Sequence, residues 1–159
     1  MQGATTLDQF IAEWNGKQCE FDGKYEYECV DLVQMYNKEC IGAPSWTGNA
    51  KDYDNNPRPM FYTRQNNTLL YVPPKGAIAV WSSRRGNGNG HVGIVTSANL
   101  LNFVSFDQNW SKPHFTQLEN HNYTDVVSFL VPREQNIGGV YNALIGDLRN
   151  IVNKYPLLS

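Results

Sequence analysis

The sequence predicts an α+β domain in which N-terminal helices pack on a C-terminal antiparallel β-sheet. Within residues 1–133, apolar residues recur at helical spacing only before residue 42, short β-rich runs appear only after residue 75, and no helical stretch interrupts those runs. The 159 residues, 41% of them hydrophobic and 18% charged, suit one domain with one apolar core.

In chain order, Thr5 or Thr6 caps a first helix whose apolar face is Leu7, Phe10, Ile11 and Trp14, ending near Asn15-Gly16. A second, mostly buried helix is read from Tyr27 to about Cys40, with Val30, Val33, Tyr36 and Cys40 as its stripe and Leu32 and Met35 widening it. Residues 42–75 are rich in Gly, Pro, Asn and Asp and read as an irregular excursion with one short helix near Asn49 to Asp54. Strands are expected at Ala77 to Trp81, His91 to Thr96, Asn102 to Asp107 and Asp125 to Val131. The domain is placed at residues 1–133. Glu134 to Gly139 reads as a linker, and Tyr141 to Tyr155 as an appended amphipathic helix that leads to a further module, meets a partner or folds back.

Several function classes are disfavoured. A net charge of −2 offers no field for nucleic acid. No run of about 18 apolar residues is present to span a bilayer, and the amino terminus lacks the basic start and apolar core of a secretory signal. The three cysteines, Cys19, Cys29 and Cys40, form no C-x-x-C pair, and His91, His114 and His121 show no zinc-ligand spacing.

Cys29 falls in the first turn of the second helix, where unpaired N–H groups and the helix dipole favour an anionic sulfur. The competing reading is a buried structural thiol. His91 shifts the balance, because it opens a glycine-flanked strand that should leave the imidazole accessible as a base. Asp107 and Asn109 share a face of the next strand: either can accept from the ring N–H, while the other, or Gln108, helps hold an oxyanion. His114 and His121 lie in polar, turn-like sequence and read as surface residues. Trp46, Trp81 and Trp110 are candidate walls of a substrate groove, or simply buried apolar area, and Glu28 is a candidate substrate contact.

These motifs resemble the CHAP domains, the cysteine-histidine-dependent amidohydrolases and peptidases of phage endolysins and bacterial autolysins. Tyr27-Glu28-Cys29-Val30-Asp31-Leu32 is similar to the family's nucleophile motif. Gly76-Ala77-Ile78-Ala79-Val80-Trp81 and Gly90-His91-Val92-Gly93-Ile94-Val95 resemble its next two strands, and Asp107-Gln108-Asn109-Trp110 resembles its Glu-Gln-Asn-Trp signature with Asp in place of Glu. The resemblance spans residues 20 to about 132. It implies a papain-like α+β fold and the peptide part of bacterial cell wall, Gram-positive above all, as substrate. Cys29 would attack a carbonyl, His91 would protonate the leaving amine, and the bond would be the N-acetylmuramoyl-L-alanine amide or one in the stem peptide or cross-bridge. An endolysin of this kind is made in a host cytoplasm and acts on the wall after release, which fits a C-terminal linker leading to a wall-binding domain. Two rivals remain: a non-catalytic, calcium-dependent wall-binding or structural module, and a papain-like effector protease acting on protein.

The segment Glu20 to Asp31 holds five acids and one base, with Glu20, Asp22, Lys24, Glu26 and Asp31 at spacings close to those of EF-hand ligands, Lys24 through its carbonyl. The residues alone leave a solvated acidic loop equally open. The resemblance implies Ca²⁺, since some phage endolysins of the family carry calcium in this loop.

Overall fold

In the computed structural model, which describes residues 5–133 and 148–149, the chain folds as an α+β domain. Helix α1 (Leu7–Trp14) starts at Thr6, whose hydroxyl accepts from Gln9 N while the Gln9 side chain accepts from Thr6 N. This reciprocal cap satisfies two of the amides that a helix start leaves unpaired. Helix α2 (Cys29–Tyr36) continues as a single π turn, Asn37–Ile41, and stops at Gly42 in the left-handed conformation. Its start lies two residues later than the sequence suggests. Tyr25, Glu26 and Tyr27 all have positive φ (64°, 50° and 49°), which excludes them from a right-handed helix and makes Cys29 its first residue.

Six strands, β1 (Tyr62–Asn66), β2 (Ile78–Trp81), β3 (His91–Ala98), β4 (Phe103–Gln108), β5 (Thr116–His121) and β6 (Val126–Pro132), form one sheet in the order β1-β6-β2-β3-β4-β5. Every pairing is antiparallel. Four strands fall where apolar runs predict them, and a short 3₁₀ turn, Ala50–Tyr53, falls at the expected short helix. The remaining two, β1 (YTRQN) and β5 (TQLENH), occupy the sheet edges and show an exposed or half-exposed face. Edge strands tolerate polar residues that central strands do not, so their sequences carry little apolar signal.

Alternation along the central strands sends side chains to two cores. On one face, Ile78, Val80, Val92, Ile94, Phe106 and Leu130 pack with Leu32, Val33 and Tyr36 of α2 and Phe10 of α1. On the other, Ala77, Ala79, Trp81, Val95, Phe103, Val126 and Phe129 form a second cluster covered by Tyr71, Trp110 and Tyr123. The sheet is therefore buried on both faces around β2. The expected linker at Glu134 to Gly139 and the helix at Tyr141 to Tyr155 lie outside the described residues, apart from Leu148 and Arg149, which are helical and exposed. Among the described residues, no helix is long and apolar enough to cross a membrane.

Candidate active site

Cys29 opens α2, so its own amide and that of Val30 have no intrahelical acceptor, whereas the Asp31 amide is taken by the Glu28 carbonyl (3.1 Å). His91 opens β3, opposite Trp81 of β2. A positive φ at Gly90 (80°) sets the turn into the strand, and a side chain there would meet Lys51 N at 2.7 Å and Trp81 O at 2.8 Å. The other flanking glycine does not expose the imidazole as expected: His91 is only 4% exposed. Instead, Gly93 makes room for the Asp107 carboxylate, whose Cγ would lie 2.9 Å from any Cβ at that position, with Oδ1 closer still.

His91 Nε2 lies 3.0 Å from Asp107 Oδ2. An ionised carboxylate only accepts, so Nε2 carries the hydrogen and Nδ1 is the ring nitrogen left for Cys29. Burial disfavours a charged imidazole, but the Cys29 sulfur, acting through charge and as a hydrogen-bond partner, and the Asp107 carboxylate outweigh it. His91 is pushed up to about 10. Asp107 is held at about 2: burial opposes its charge, while hydrogen bonds from His121 and His91 favour it more. Cys19 and Cys40 differ, since burial and nearby acids push both thiols up to about 12.

The structure thus brings Cys29, His91 and Asp107 together. Asn109 is not part of that contact. Its backbone turns to a positive φ of 60°, Nδ2 donates to Glu28 Oε2 (2.9 Å), and Oδ1 accepts from His114 N (3.0 Å). Gln108 is also corrected. It is fully buried, accepts from Cys19 N (2.7 Å), and donates to the carbonyls of Cys19 and Glu28 (2.8 Å each), so it has no donor left for an oxyanion. The side chain closes the base of the loop that ends at Cys29.

Of the expected groove walls, Trp46 is 3% exposed and stacked on Tyr53 at 4.6 Å, so it belongs to the core. Trp81 is likewise buried, with its ring 5.2 Å from His91. Only Trp110 is half-exposed, 4.7 Å from the His91 ring and beneath the Arg85 guanidinium. Half-buried Glu28 contributes its carboxylate to Asn109. His121, expected at the surface, is buried on β5 with Nε2 2.9 Å from Asp107 Oδ2. Sequence reasoning missed it because β5 carries two polar residues, Glu119 and Asn120, just before it.

In the acidic loop, Glu20, Asp22 and Asp31 can each place a carboxylate oxygen within 4.8 Å of the others. Oxygens at about 2.4 Å from one Ca²⁺ are at most about 5 Å apart, so the three fit a common hard cation. Asp31 is 2% exposed, and burial with the charges of Glu20 and Asp22 raises it to about 6, against the pull of the Glu28 amide. A buried carboxylate among like charges fits a site that takes a counter-charge. The Glu26 carboxylate stands outside this cluster. The Glu26 carbonyl lies 3.0 Å from His114 Nδ1.

Comparison with known proteins aligns with this site. Endolysin PlyTW of Staphylococcus phage Twort is 32% identical over 123 residues, covering 71% of this chain and 26% of that protein. The probable autolysin PH of Staphylococcus aureus is 36% identical over 104 residues (64% of this chain, 22% of that protein). Endolysin LysK of Staphylococcus phage K is 32% identical over 115 residues (68% and 22%). The match therefore spans 22% to 26% of the length of these relatives. Among solved structures, wild-type endolysin LysIME-EF1 superimposes with a TM-score of 0.69 at 27% identity, over 77% of this chain and 61% of that one. Ly7917, at 18% identity and a TM-score of 0.57 over 80% and 63% of the two chains, shares the fold. The CHAP domain signature matches residues 20–109, from the first acid of the loop to the asparagine after Asp107 and Gln108, and the chain belongs to the CHAP-domain family.

Proposed function

We propose that this chain is the catalytic domain of a peptidoglycan hydrolase working by a thiol mechanism on an amide or peptide bond of the cell wall. The observation that carries this reading is the convergence of Cys29, His91 and Asp107 at one rim of the sheet, while the Cys19 and Cys40 thiols are pushed up to about 12. The names of the endolysin and autolysin relatives support the substrate class.

Cys29 Sγ, as a thiolate, adds to the carbonyl carbon, and the charge developing on oxygen is met by the Cys29 and Val30 amides at the start of α2. The C–N bond breaks as His91 Nδ1 delivers its proton to the departing amine. Water then attacks the thioester, His91 takes a proton from it, and the acid product leaves with Cys29 restored. Asp107 stays ionised throughout and fixes the ring through Nε2. Cutting the N-acetylmuramoyl-L-alanine amide or a stem or cross-bridge bond requires the same steps.

Calcium, when bound, neutralises the acidic loop and orders it. Glu20, Asp22 and Asp31 would hold it by their carboxylates, with Lys24, through its carbonyl, and Glu26 as the further ligands expected from the loop. Asp31 and Cys29 sit in the same helical turn, so an ordered loop supports the sulfur. The test is clearing of Gram-positive cell walls by wild type and Cys29→Ala, with and without chelator. Clearing is expected only from the wild type and only with calcium. Clearing by Cys29→Ala would refute the thiol mechanism, and clearing unchanged by chelator would refute the calcium role.

A further inference from the structure

Asp107 serves two imidazoles, and the proposed thiol mechanism accounts for only one. His91 Nε2 (3.0 Å) and His121 Nε2 (2.9 Å) both reach the same oxygen, Oδ2. The other oxygen, Oδ1, is buried without a hydrogen-bond partner among the described residues and rests against Gly93. A carboxylate held by a single bond to His91 could swing about its Cβ–Cγ axis, with no hydrogen bond at Oδ1 to hold it. His121 supplies the second anchor. Its own ring is fixed in turn, with centroids 4.9 Å from Trp81, 4.6 Å from Trp110 and 5.3 Å from Phe103, opposite which it sits in the β4–β5 register.

We propose that His121 is a positioning residue: by donating Nε2–H to Asp107 Oδ2 it fixes and keeps ionised the carboxylate that aims His91 at Cys29. The proposal rests on the thiol reading above. The groups facing Asp107 are His91 from β3, His121 from β5 and the Ser105 hydroxyl of its own strand, with Cys29 of α2 facing His91 and uncharged Trp81 beside both rings. Of the interactions that favour the Asp107 anion, the His121 hydrogen bond is the largest. Losing it raises the Asp107 pKa, so activity should fail at a higher pH on the acid side.

His121 also lines a cleft of about 150 Å³ with Arg85, Trp110, Asn122 and Thr124. A truncation would let water reach Asp107 from there, so replacements should keep the volume. His121→Phe keeps a ring among the aromatics and removes the donor, whereas His121→Gln restores a donor near the same place. Wall clearing should fall about 10- to 100-fold in His121→Phe, the range seen when orienting partners of functional imidazoles at metal sites are removed. Its acid limb should move up in pH, and His121→Gln should recover most of both. Thermal melts and the pH dependence of Cys29 alkylation, measured alongside, read folding and the sulfur without substrate. A His121→Phe enzyme with wild-type rate and pH profile would overturn the proposal. So would a His121→Gln enzyme as impaired as His121→Phe, since that marks a packing role only. Clearing by Cys29→Ala would instead overturn the thiol reading, whatever the His121 variants do.

Discussion

Gly93→Ala is the sharpest perturbation of the site, because it alters no group that takes part in chemistry. On the strand alone the change is favourable: replacing glycine by alanine in a strand interior gains about 0.5–1 kcal/mol of chain entropy. The site reverses the sign. An added Cβ would lie 2.9 Å from Asp107 Cγ, closer to Oδ1, and 3.1 Å from Ser105 Oγ. Asp107 cannot yield without loss, since its other oxygen holds His91 and His121, and overpacking of a filled interior costs about 1–3 kcal/mol. The net expectation is a loss of up to about 2 kcal/mol, or a drop in Tm of a few degrees at roughly 3 °C per kcal/mol for a domain of this size. Wall clearing should fall further, by up to about 100-fold for a shift of about 1 Å, because a carboxylate pushed aside no longer aligns the imidazole. Thermal melts followed by circular dichroism and clearing rates give the two numbers. A Gly93→Ala protein that melts at or above the wild-type temperature and clears walls at the wild-type rate would show that the close packing of Asp107 on Gly93 is unimportant.

Two further outcomes follow from the same geometry. Gln108→Leu keeps the volume but strips partners from Cys19 N and Cys19 O, and takes one of two donors from Glu28 O, which keeps the Asp31 amide; at about 1–3 kcal/mol for each buried backbone group left unpaired, chemical denaturation should show a loss of at least about 2 kcal/mol, and a loss under about 1 kcal/mol would contradict the bracing role. Asp107 is lowered from 3.8 to about 2, so its stabilisation is complete above pH 4 and vanishes as pH falls towards 2. The stability gap between wild type and Asp107→Asn should therefore shrink across that interval, and a gap constant down to pH 2 would refute the assignment.

How much of this was legible in the sequence depended on where each residue sits in the sheet. The central strands announced themselves because both their faces are buried, and Cys29, His91 and Asp107 were found because they stand in or beside such strongly patterned segments. β1 and β5 were not, since at an edge a strand needs only one apolar face, and β5 buries a threonine and a histidine while exposing Leu118. That inversion hid His121: its environment is made by Trp81, Phe103 and Trp110, which come from three other places in the chain. Trp46 erred the other way. Its glycine- and proline-rich surroundings suggested a groove, but the loop folds inward and stacks it on Tyr53. Side-chain direction likewise decided Asp107 against Asn109 as the partner of His91, because a positive φ at Asn109 breaks the strand alternation that would have placed it beside Asp107.

The polar character of β1 and β5 bears on how the molecule behaves in a crowded solution. An open sheet exposes unpaired amides at its margins, and a flat apolar margin invites further copies to stack on as fibrils. Here one margin presents Arg64, tied to Asp54, and the other Glu119, hydrogen-bonded to Ser111 and Gln117. Stacking by strand addition would have to bury these charged groups, so the sheet is protected against growing past its six strands.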